Sequence, residues 1–157
     1  MTKVRTAGEN VRRFIIDQVA AHPADVVRVT AKKFGITRQA VNRHLRAMIS
    51  EGVLKESGNT RAKRYELAPL VEQTRTFELD GKINEGEVWL NFVAPILGKL
   101  PDNVMNIWQY GFTEMFNNVI DHSGGREVVV NITKTAAQTD INIHDDGVGI
   151  FKKIQEA

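Results

Sequence analysis

The chain has 157 residues, 42% hydrophobic and 25% charged, which suits one ordinary globular domain or two small ones. It has no cysteine, which excludes a disulfide framework and a thiolate metal site, and no apolar run approaches the ~18 residues of a membrane span. The net charge of +2 hides an asymmetry: residues 1–67 hold 14 Lys/Arg against 6 Asp/Glu, and residues 68–157 hold 7 against 13. That split predicts two modules with different partners, the basic one suited to a polyanion. Met1-Thr2-Lys3-Val4-Arg5 lacks the apolar core of an export signal, so the expected location is cytoplasmic, with no membrane partner.

In the basic part, Val11, Phe14, Ile15 and Val19 recur at helical spacing, predicting a helix over about 10–21 that His22-Pro23 ends. A second helix is expected over about 25–34, with Val26, Val29, Ala31 and Phe34 inward and Gly35 as its stop. Thr37 is a good N-cap for a third helix over about 38–50. Its apolar stripe is Ala40, Val41, His44, Leu45, Met48 and Ile49, with His44 read as a core-edge residue. The opposite face carries Arg38, Gln39, Asn42, Arg43 and Arg46, types that bond phosphates and base edges. Two short strands around Ser57-Gly58-Asn59 then predict a hairpin bearing Arg61, Lys63 and Arg64.

This order resembles the winged helix-turn-helix of bacterial transcription regulators, over roughly residues 8–68. The resemblance implies double-stranded DNA as partner. The third helix would lie in the major groove and the hairpin against the backbone or minor groove.

Ala68-Pro69-Leu70 breaks the hairpin strand, and residues 69–75 read as a linker or connecting helix. The acidic module is then expected over 76–157. Thr76-Phe77-Glu78-Leu79 suggests a strand, closed by Asp80-Gly81. Asn84 caps a helical run through Val88, Trp89, Phe92, Val93, Ile96 and Leu97, inside which Pro95 should kink or stop the helix. A long helix over about 103–121 follows, ended by Ser123-Gly124-Gly125. Two strands come next, Glu127–Thr133 and Asp140–Asp145, joined by a turn at Ala136-Ala137-Gln138.

The long helix puts Glu114, Asn118 and His122 along one stripe, four residues apart. The last strand delivers Asp145 to the turn Asp145-Asp146-Gly147-Val148-Gly149-Ile150. These two stretches resemble the N-box and G1 box of the Bergerat-fold (GHKL) ATPases, a group that includes gyrase-type topoisomerases, sensor histidine kinases, MutL-type repair proteins and anti-sigma-factor kinases. The expected fold class is therefore α+β: a winged helix-turn-helix followed by an incomplete α/β sandwich of Bergerat type.

What the resemblance implies is ATP and Mg2+ as cofactors. Asn118 would be the magnesium ligand, an oxygen donor for a hard cation. Glu114 would be the catalytic carboxylate that orients or deprotonates water in the hydrolytic branches. His122 would line the phosphate side or cap the helix end through its dipole. Asp145 would accept a hydrogen bond from the adenine amino group, and Gly147 and Gly149 would let the backbone pass close to the base. Asp146 is expected to face solvent. The family continues with a lid and further glycines, so the chain reads as a fragment of a longer protein or one that completes its sheet by association, with a sheet edge and an apolar face left open. The function these resemblances imply is a bacterial transcription regulator whose DNA binding responds to ATP. The alternatives are an anti-sigma-type serine/threonine kinase, or an interaction module with a decayed ATP site. A regulatory protein partner and a homodimer both remain open.

Overall fold

A computed structural model describes residues 6–59 and 62–147 of the chain. The architecture is mixed α+β with two compact units: one runs to Leu70 and includes Lys134–Gln138, and the other is Val71–Thr133 with the residues from Thr139 onward.

In the first unit, α1 (Ala7–Gln18) starts earlier than the apolar spacing predicts. Thr6 and Glu9 form a capping box, which supplies partners to N–H groups the helix start would otherwise leave bare. Asp25 precedes α2 (Val26–Phe34), and Gly35 ends it at φ 63°, a left-handed conformation that a side chain would disfavour. α3 (Arg38–Ser50) matches its expected bounds, and the Thr37 hydroxyl accepts from Ala40 N. The hairpin is β1 (Leu54–Ser57) and β2 (Arg64–Leu67), antiparallel, with Glu56 opposite Tyr65 and Lys55 opposite Glu66. Tyr65 N donates to the Pro23 carbonyl at 2.9 Å, tying the hairpin to the α1–α2 connection. Val11, Ile15, Val19, Val26, Val41, Leu45, Met48, Leu54 and Tyr65 form the buried cluster. His44 is half-buried, at the core edge as its position on the stripe predicts.

The second unit holds β3 (Val71–Glu78), β4 (Glu127–Lys134) up to Thr133, and β5 (Thr139–Asp145), in sheet order β3-β4-β5. Residues 71–75, expected as a linker, are strand. Leu79 N donates to the Arg126 carbonyl at 2.7 Å, and Asn131 Nδ2 donates to Thr74 Oγ1 at 2.8 Å, so β3 runs antiparallel to β4. The Arg75 guanidinium lies 4.9 Å from the Phe92 ring centre, giving this polar stretch a packing role its composition hides. β4 is the central strand, with Val128, Val130 and Ile132 fully buried.

The run from Asn84 is helical through Pro95. It comprises α4 (Glu85–Val88), a π turn (Trp89–Val93) and α5 (Ala94–Leu97), with the Ala94 N–H donating to the Trp89 carbonyl. Pro95 has no N–H to give and its ring crowds the preceding turn, so the wider turn before it relieves the conflict without breaking the helix. α6 (Asp102–His122) lays Phe112 and Phe116 against the sheet. Phe112 stacks on Phe116 at 5.3 Å, and Phe77 meets Phe116 edge-on at 6.1 Å. The expected open apolar sheet face is thus covered on β4, and Ile141 and Ile143 of β5 are half-buried. Among the described residues of this unit the exposed large apolar side chains are Leu90, Ile107, Tyr110 and Met115, all on helical segments.

Candidate functional site

In the first unit, α3 presents Arg38, Gln39, Arg43 and Arg46 to solvent, with Asn42 half-buried among them. None of the three arginines has an ion-pair partner among the described residues. Arg38, Asn42 and Arg46 share one wall of a cleft of about 440 Å³, whose other walls include Glu56, Lys63 and Tyr65 of the hairpin and Ala24 and Val27. The structure therefore brings four of the expected DNA-contacting residues, Arg38, Asn42, Arg46 and Lys63, around one hollow. Gln39, Arg43 and Arg64 are exposed outside its lining, and Arg61 lies outside the described residues.

Lys63 is not a free cation: its Nζ donates to Glu56 Oε2 at 2.8 Å, and that carboxylate raises the lysine's pKa above the ordinary value. Burial raises the Tyr65 phenol, which stays protonated and able to donate. Sequence reasoning missed Glu56 and Tyr65. The hairpin register was the available signal, because it places the two side chains opposite each other on the face toward α3.

In the second unit, Glu114, Asn118 and His122 are exposed on α6, as their spacing predicts, and Asp145 is exposed at the end of β5. Among the described residues the two motifs meet at Gly147. A Cβ there would collide with the Ser123 carbonyl, so the turn after Asp145 packs directly on the C-terminal end of α6. Asn118 lies five residues before that carbonyl, roughly 7–8 Å along the helix axis. His122 occupies the last turn, where a cation would meet the helix dipole favourably. One Asp145 oxygen is committed to the turn, accepting from Gly147 N at 2.9 Å.

Asp146 does more than face solvent. Its Oδ1 accepts from Arg126 N at 2.7 Å and Glu127 N at 3.0 Å, and these bonds hold its carboxyl below the usual range. A Cβ on Gly125 would strike that carboxylate, so glycine is required for its close seat. Ser123 and Gly125 read in the sequence only as a helix stop; their glycine-rich spacing was the signal for a backbone docking point. Gly149 lies outside the described residues.

Among the described residues no group of three or more His, Asp or Glu side chains could hold a metal. Asn118 offers a neutral amide oxygen, which fits a magnesium ion that brings phosphate oxygens and waters with it. No protein-family model, no curated protein and no solved structure matches this chain.

Proposed function

We propose that the chain is a bacterial, cytoplasmic transcription regulator with a winged helix-turn-helix in its first unit and a Bergerat-type Mg-ATP site in its second. The observation that carries the reading is the row of arginines on α3 with no ion-pair partner among the described residues, continued by Asn42 and Lys63 around a cleft of about 440 Å³. Double-stranded DNA would meet α3 in its major groove, with Arg43 and Gln39 toward bases and Arg38, Arg46, Lys63 and Arg64 toward phosphates.

The nucleotide half rests on the seating of the Asp145–Gly147 turn against the helix that carries Glu114, Asn118 and His122. In that reading Asp145 receives the adenine amino group, Asn118 offers its carbonyl to a phosphate-bound magnesium, and Glu114 stands ready to orient a water. Magnesium, when bound, supplies charge neutralisation on the phosphates. ATP would alter DNA affinity only by binding two conformations unequally.

Fluorescence anisotropy of a labelled duplex, with and without Mg-ATP, tests both halves. The expected result is salt-sensitive duplex binding that changes with Mg-ATP, the change disappearing in Asn118→Ala and Asp145→Asn. Equal duplex affinity at every ATP concentration would end the regulatory reading. A second reading, an interaction module, draws on Ile107 and Tyr110, each 70% exposed on the same helix as Glu114 and Asn118.

A further inference from the structure

Among the described residues, the cleft between α3 and the hairpin is lined by three cations, Arg38, Arg46 and Lys63, and one carboxylate, Glu56. Of the three cations, Lys63 alone is ion-paired among the described residues. Both partners are well exposed, at 40% and 43%, so the pair contributes little to folding stability. Its weight falls on the charge of the cleft. The other hairpin pair, Lys55–Glu66, is made of residues that do not line the cleft. A carboxylate inside a basic hollow opposes any polyanion that enters it, and an ammonium already claimed by that carboxylate gives a phosphate less than a free one does.

We propose that Glu56 is an affinity-limiting residue for nucleic-acid phosphate: it holds Lys63 in the α3–hairpin cleft, and an entering backbone phosphate must take the ammonium from it. The inference rests on the DNA-binding reading above and deepens it by naming the group that sets its strength. Arg38 and Arg46 give the phosphate its first foothold, the Tyr65 hydroxyl offers a neutral donor on the hairpin side, and Lys63 swings from carboxylate to phosphate last. The arrangement keeps sequence-independent binding weak, which leaves discrimination to the base-facing side chains of α3.

The test uses the whole chain and a random-sequence duplex, titrated by anisotropy across a series of salt concentrations. Glu56→Gln should bind about threefold to tenfold more tightly at low salt, with a plot of log affinity against log salt steeper by about one. Lys63→Gln should weaken binding and flatten the slope by about one. In the Lys63→Gln background, Glu56→Gln should add no tightening, because the exchange has lost its cation. Glu56→Ala, which removes the carboxylate without the amide, should repeat the gain, and circular dichroism checks that each variant is folded. Unchanged affinity and slope in Glu56→Gln overturns the proposal, as does equal tightening with and without Lys63. Absence of duplex binding by the parent chain is a different result: it removes the DNA reading itself, and this inference with it.

Discussion

At the scale of single residues, Thr30 is the anomaly of the first unit. It is fully buried on α2, and its hydroxyl has no hydrogen-bond partner among the described residues. An unsatisfied buried hydroxyl loses its water bonds and gains nothing in return. Thr30→Val keeps the shape and removes the polar atom, so the first unit should gain about 1 kcal/mol, read as a higher urea midpoint with an unchanged slope. Asp146 gives the complementary case. Its two backbone N–H bonds lower its folded-state pKa, so it contributes stability that is present above the unfolded value near 3.9 and is lost as pH falls through the folded value. Asp146→Asn can still accept both bonds but carries no charge. The variant should therefore melt below the parent at neutral pH, and the gap should close as pH drops from about 4 downward. A gap that persists unchanged at the acid end would mean the carboxylate charge is irrelevant to the turn.

At the scale of elements, the helices were legible where the chain punctuates them and less so where partners decide. α3 matches its expected bounds because Thr37 and Gly52 mark both ends in local chemistry. Thr37→Ala should remove the bond to Ala40 N and cost the first unit about 1 kcal/mol, measurable by chemical denaturation. It should also loosen the turn that carries Arg38. β3 was only half legible, since Glu72, Gln73, Thr74 and Arg75 are all exposed and their alternation carries no apolar signal. Its strand character comes from pairing with β4, a long-range contact that no local window contains. The same limit applies to the sites. The cations of α3 and the stripe Glu114, Asn118 and His122 could be read from helical spacing. The cleft needed the hairpin folded back beside α3, and the Ser123–Gly147 approach needed the sheet in place.

At the scale of the whole molecule, the charge asymmetry in the sequence follows the division into two units, and the two buried clusters have no residue in common. A chain built on two cores need not unfold in one step. Calorimetry should resolve two transitions. Leu45→Ala should lower one of them by about 2–5 kcal/mol of unfolding free energy, and Phe116→Ala should lower the other by about 3–5 kcal/mol. A single transition displaced by both variants would show that the cores melt together.

The widened turn at Trp89–Val93 has one more consequence. The Ala94 N–H reaches back five residues to the Trp89 carbonyl, so the path between them contains one residue beyond what an α-helix uses. Leu90 sits in that loop of slack, 67% exposed, while Trp89, Phe92 and Val93 are buried. Excising Leu90 would turn the same bond into an ordinary four-residue one and leave the flanking faces pointing as they do now. The segment thus bears the geometric mark of a one-residue insertion that the helix absorbed locally instead of passing it on as a rotation of everything downstream.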